Sequence, residues 1–255
     1  MLHSGLVSIT FRALAPGEVV SLVKKAGLEG IEWGGDIHVP HGDLQRAREV
    51  REMTCEAGLR VASYGSYYRV GHEEPVPFEA VLNTALALQA PIVRVWAGKQ
   101  GSVEAGAAYR EQVAQDSRRI AMMAAQAGVT VAYEFHNKTL TDTSASARAL
   151  LEQVAHENLR TYWQPAVGAT VENCLAGMEM ILPWLANVHV FHWGGTIAER
   201  LPLSQGESAW GRYLSMVSST GREHWAMLEF VREDSPQVFL EDAQALKAFL
   251  ARVAT

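Results

Sequence analysis

Cysteine is scarce: 255 residues include only Cys55 and Cys174. They lie far apart and outside any metal-type spacing, so neither a disulfide framework nor a thiolate metal site is expected, and a reducing, cytoplasmic setting is. No apolar run approaches the ~18–20 residues of a membrane span. The opening MLHSGLVSITF turns polar too soon for a targeting segment. Positive charge is also in short supply, with 22 basic against 28 acidic residues, a net charge of −6 and no basic cluster. That balance disfavours a nucleic-acid groove or an anionic membrane surface as partner. A Gly-rich phosphate turn is missing after the first strand-like run, in SITFRALAPGE, which argues against a doubly wound nucleotide fold. No linker, low-complexity tract or shift in composition divides the chain.

What the chain does have is rhythm. Short apolar runs (SGLVSITF, GIEWGG, LRVASYGSYY, PIVRVWAG, VTVAYEFH, LRTYWQP, NVHVFHW and WAMLEFV) alternate with longer amphipathic segments. Seven segments read as helices: PGEVVSLVKKAG, LQRAREVREMTCEAG, PFEAVLNTALALQA, YREQVAQDSRRIAMMAAQAG, SASARALLEQVAHE, ENCLAGMEMILPWLA and VFLEDAQALKAFLARVA. Gly27, Gly58 and Gly128 sit where helices should stop, and Pro16 and Pro77 where first turns should begin. At 48% hydrophobic, the chain can bury a large core. Roughly eight strand–helix units in a chain near the ~250 residues of a parallel barrel predict one (β/α)8 TIM barrel over residues 1–255. Its termini should lie opposite or beside the active site.

In such a barrel the chemistry sits at the C-terminal strand ends, and alternation says which side chains face the axis. Val131, Tyr133 and Phe135 should face the helices, with Ala132, Glu134 and His136 facing inward. Likewise Met227 and Glu229 should point in, and Leu228 and Phe230 out. His189 is inward between Val188 and Val190, and Gln164 shares the face of Tyr162. Four consecutive strands thus end in Glu134, Gln164, His189 and Glu229. A lone inward carboxylate can be satisfied by an arginine. Two carboxylates, an imidazole and an amide oxygen in one ring instead call for a cation between them. Oxygen-rich ligation with one imidazole suits Mn²⁺, Mg²⁺, Co²⁺ or Zn²⁺.

Glu32, His38, Arg94, His136, Asn137 and Arg232 are further candidates to hold substrate hydroxyls. Arg94 could equally be a partner for a neighbouring carboxylate. Trp33, Trp96, Trp163 and Trp193 lie beside strand ends, where they would line a sugar site or pack under helices. Asp36, His38 and His41 share the loop WGGDIHVPHGD, a rim or simply a solvated turn.

GIEWGG at the second strand, YEFHN at the fifth, NVHVFHW at the seventh and MLEFV at the eighth give the whole chain its resemblance. It resembles the xylose-isomerase-like barrel superfamily of sugar isomerases and epimerases, which also includes the apurinic endonucleases. The resemblance implies a single divalent metal held by Glu, Asp, His and Glu from the last four strands. Carried over, these are Glu134, Gln164 in the aspartate's place, His189 and Glu229. Val167 stands where the family often has a histidine, and His192 where it often has an aspartate. Gln164 offers a neutral oxygen, and its NH₂ can donate, which a carboxylate cannot.

The implied activity is isomerisation or epimerisation of a ketose or sugar phosphate through an enediolate, with Glu134 and Glu229 as acid and base. His192 would relay protons, add a ligand or cap its loop. The alternatives are a metal-dependent hydrolase or lyase on an oxidised sugar, an apurinic-endonuclease-like phosphodiesterase, and a non-catalytic sugar-binding barrel with an altered metal site. By analogy with relatives, a homo-oligomer is also to be expected.

Overall fold

The computed structural model describes residues 1–253. Eight parallel strands form a closed barrel in sequence order: β1 Leu2–Val7, β2 Gly30–Gly34, β3 Arg60–Arg69, β4 Ile92–Trp96, β5 Thr130–Tyr133, β6 Leu159–Trp163, β7 Leu185–Val190 and β8 His224–Leu228. β8 pairs back onto β1, from Leu2 opposite His224 to Leu6 opposite Leu228. The outer helices are α1 Pro16–Ala26, α2 Leu44–Glu56, α3 Phe78–Leu88, α4 Ala107–Gln126, α5 Ser144–Val154, α6 Val171–Ile181, α7 Glu207–Ser218 and α8 Pro236–Val253. No helix among the described residues is long and apolar enough to cross a membrane.

The alternation read from the sequence produces two separate cores. Leu6, Ile31, Val131, Val188 and Leu228 face the helices in one apolar cluster, while Val7, Ala132, Tyr162 and Met227 fill the barrel axis in another. Gly27 ends α1 with φ +66°, and Gly58 and Gly128 follow α2 and α4 with φ +79° and +70°. These are left-handed positions that glycine adopts without strain. The amino group of Met1 donates to the Arg222 carbonyl just before β8, at the barrel end remote from the strand C-termini.

Three local expectations need correction. Helix α7 was not among the predicted segments, although Trp210, Tyr213, Leu214 and Val217 bury one face of it at helical spacing. Its surrounding Gly, Ser and Glu residues hide that stripe in a composition that reads as loop. SITF is a 3-10 turn, Ser8–Phe11, rather than the end of the first strand. Phe230, expected outward, takes φ +51° and so breaks the strand alternation. It packs against the axial cluster instead.

Candidate metal centre and active site

The side chains at issue are fixed by the strand frame. Glu134 and Glu229 are each the first residue after their strands, yet their backbone N–H groups still donate to Val95 and Val190 at 2.9 and 3.0 Å. Each is thus held by one further ladder-type bond with its side chain inward. His189 lies within β7 and is fully buried. Glu134, His189 and Glu229 each offer a ligand atom, and these atoms lie within 4.8 Å of one another. Gln164, one residue past β6, places Oε1 at 3.2 Å from His189 Nδ1. The same nitrogen lies 3.3 Å from Glu229 Oε2 and 4.0 Å from Glu134 Oε1. One imidazole nitrogen therefore faces all three of the other candidate ligands.

Beneath this ring sits a buried ion network. Arg94 donates from Nε to Glu32 Oε1 at 2.6 Å, and Nη1 contacts Glu134 Oε2. Ser63 donates to the other Glu32 oxygen at 2.7 Å. Burial opposes ionisation of Glu32, but Arg94, His189 and Ser63 more than offset it and hold the carboxyl well below its usual range. Burial likewise opposes the charge on His189, and Glu229 and Glu32 reverse that, pushing it up to about 9. Gly65 is what lets Arg94 in. A Cβ there would lie 2.6 Å from Arg94 Nη2 and 3.0 Å from Glu32 Oε1.

These groups suit a divalent cation. Three carboxylates against one guanidinium and one imidazolium leave one negative charge uncompensated; exchanging the imidazolium proton for a dication leaves none. Two carboxylate oxygens, one imidazole nitrogen and one amide oxygen form a hard, mixed donor set of the kind Mg²⁺, Mn²⁺ or Zn²⁺ accepts.

Above the ring opens a cavity of about 600 Å³, lined by Glu134, Gln164 and Glu229 and walled by Trp96, Trp193 and Phe230. Trp96 donates from Nε1 to Glu134 Oε2 at 2.5 Å. Of the four strand-end tryptophans, Trp96 and Trp193 line the cavity. Trp33 and Trp163 pack in the outer core.

His136 and Asn137 also line the cavity. His136 stacks on Trp96 at 4.2 Å, its Nδ1 2.7 Å from the Asn137 carbonyl. Glu32 and Arg94 lie under the ring rather than on the cavity wall, because they neutralise each other there. The remaining expected substrate contacts fall elsewhere. His38 is buried against Ser8 Oγ at 2.9 Å and the Leu14 carbonyl. His192 lines a neighbouring cavity behind the 165–169 turn. Arg232 sits in a short turn with Glu233. The path of the 192–200 and 230–235 loops, which alternation cannot follow, sets these last two.

Tyr67 was missed. It holds φ +56° inside β3, where the pairing with β4 shifts register. Its ring packs 5.0 Å from the Arg94 guanidinium, and its buried hydroxyl donates to no acceptor among the described residues. Burial pushes that hydroxyl up to about 12, aided by Asp36 and Glu229 and opposed by Arg94. A strained backbone with an orphaned donor at a cavity wall is the signature of a site residue.

Residues 20–249 match the xylose isomerase-like TIM barrel family. The chain belongs to that family. This xylose isomerase-like barrel is 24% identical over 277 residues to a 3-dehydroshikimate dehydratase of Bacillus anthracis, across 94% of this chain and 95% of that protein. Among solved structures it superposes on the probable 3-DHS dehydratase from Bacillus anthracis with a TM-score of 0.79, at 22% identity over 97% of this chain and 99% of the other. It superposes on L-ribulose 3-epimerase with a TM-score of 0.72, at 17% identity over 100% and 96%. A dehydratase and an epimerase thus share this barrel fold.

Proposed function

We propose that this barrel is a divalent-metal-dependent lyase that dehydrates a small hydroxylated ring ketone bearing a carboxylate, as in 3-dehydroshikimate. The observation that carries the reading is the pair Glu134 and Glu229, brought together with His189 and Gln164 under a cavity whose walls are aromatic. Flat walls from Trp96, Trp193 and Phe230 favour an unsaturated ring over an open-chain polyol. The dehydratase relative, matched along nearly its full length, supports the same choice.

Glu134, His189, Glu229 and Gln164 would hold the ion. When bound, a divalent cation stabilises negative charge on a substrate oxygen. Glu134 and Glu229 stand at the cavity floor, where one carboxylate takes the proton from the carbon beside the ketone. Loss of the hydroxyl from the next carbon, with a proton returned to it, releases water. In a ring that already carries one double bond, tautomerisation then gives an aromatic 1,2-diol. Arg94 pairs with Glu134 and aims it, and the aromatic walls keep bulk water from the proton-transfer groups.

Epimerisation is the second reading, favoured by the approach of Glu134 and Glu229 from two different strands. It shares the first proton transfer and differs in returning the proton to the same carbon. The test is incubation of the magnesium- or manganese-loaded protein with 3-dehydroshikimate, following 3,4-dihydroxybenzoate by ultraviolet absorbance. A parallel incubation of ketoses in deuterated water tests exchange of the C–H proton. Diol formation supports the lyase. Exchange without loss of water supports the epimerase, and neither result leaves enolate chemistry without support.

A further inference from the structure

We propose that Arg69 forms an anion-binding subsite beside the metal centre, receiving a carboxylate on the far side of the substrate from the reacting carbons. The inference rests on the ring-acid reading above for its choice of carboxylate.

A second cavity of about 490 Å³ adjoins the first and shares Arg12, Tyr67 and Trp96 with it as lining. Three other charged side chains line it: Asp36, Arg69 and Glu74. The acids are already matched, Asp36 by Arg12 and Glu74 by Lys99 at 3.0 Å. Arg69 is not. Its Cζ lies 4.7 Å from the centre of the Trp96 ring, and no ion-pair or hydrogen-bond partner of its guanidinium occurs among the described residues. A contact of this kind with an indole uses none of the guanidinium N–H groups as hydrogen-bond donors to protein acceptors, so they remain suited to two carboxylate oxygens.

Trp96 ties this cation to the reacting end. Its ring carries Arg69, and its Nε1 holds Glu134. One indole therefore spans from metal ligand to unpaired guanidinium, a separation that a single six-membered ring with a carboxylate can bridge. The position of Arg69 follows from β3, where register with β4 is lost between Gly65 and Arg69 and recovered with Arg69 opposite Trp96. A residue at the end of an unbroken ladder would be committed by alternation to one face. Here the irregular segment carrying Tyr67 sets the direction independently.

The experiment titrates magnesium-loaded protein with 3,4-dihydroxybenzoate, with catechol, which lacks the carboxylate, and with inorganic phosphate. The wild type should bind the acid at least about tenfold more tightly than catechol. Arg69→Gln should abolish that advantage while leaving catechol affinity and the circular dichroism spectrum unchanged, and Arg69→Lys should recover part of it. An acid-over-catechol ratio that survives in Arg69→Gln overturns the proposal. So does the lack of Arg69-dependent binding of any of these anions. Arg69-dependent binding of phosphate without binding of either diol keeps the anion subsite and removes the ring-acid reading, so the two claims fail separately.

Discussion

Arg94 and Glu32, 62 residues apart, are joined by a 2.6 Å bond from Nε to Oε1 with both side chains fully buried. This pair makes a carboxylate-rich barrel mouth compatible with folding. Arg94→Met leaves Glu32 charged with only Ser63 and His189 beside it, and should cost about 3–5 kcal/mol in urea unfolding. Adding Glu32→Gln to Arg94→Met should recover a large part of that loss. Equal stability of the single and double variants would show that the two charges do not depend on each other.

Glu134→Gln and Glu229→Gln should each lower turnover about 10²–10⁴-fold and weaken magnesium binding, with the unfolding midpoint little changed. Solvent-deuterium exchange into substrate and metal titration measure the two effects separately. Full turnover in both variants would remove these residues from the proton transfers.

Gln164 lines the cavity beside His189, so Gln164→Asp adds a charge next to the candidate ligand atoms of Glu134, His189 and Glu229. Divalent-metal affinity should rise about tenfold, ~1.4 kcal/mol, while turnover falls. Calorimetric titration reads the first and a progress curve the second. Unchanged metal affinity with weaker substrate binding would instead make the glutamine a hydrogen-bond donor to substrate.

Tyr67→Phe removes a hydroxyl whose proton reaches no acceptor among the described residues. Stability should hold or rise slightly, because a buried orphan is lost, while kcat/KM should fall about tenfold or more. A variant that loses stability and retains full kcat/KM would make the hydroxyl structural.

His38 and His224 are buried, and among the described residues neither forms an ion pair with a carboxylate; His224 meets the Ala186 carbonyl and Thr220 Oγ1, each at 2.6 Å. Burial holds both imidazoles below their ordinary value. Unfolding therefore takes up protons below pH ~6.5, so their contribution is complete above that pH and declines as pH falls through and below it. His189 runs the other way, with most of its change between pH 6.5 and 9. The unfolding free energy from urea titration should drop between pH 7 and 5.5, by up to about 1.4 kcal/mol per imidazole per pH unit. Replacing His38 with Gln should flatten the slope; an unaltered slope would assign it to other groups.

Much of the architecture was legible from local pattern. The period-two runs around Val131, Val188 and Leu228 and the glycine stops at Gly27, Gly58 and Gly128 act through neighbouring backbone geometry, which sequence records directly. The same alternation brought Glu134, His189 and Glu229 to one face, because a strand commits its side chains by parity. Parity stops where the strand does. His192 and Arg232 lie on irregular loops, and neither reaches the main cavity.

The sequence by itself determined the barrel, the strand ends and the inward ring of Glu134, Gln164, His189 and Glu229, since each depends on spacing along the chain. Only the tertiary structure decided that Glu32 and Arg94 neutralise each other beneath that ring, that Gly65 leaves room for the guanidinium, and that Phe230 and Tyr67 turn toward the main cavity. The first two depend on distances between strands far apart in sequence. The last depends on left-handed backbone at residues whose side chains ordinarily disfavour it, a choice imposed by surrounding contacts rather than by the residues themselves.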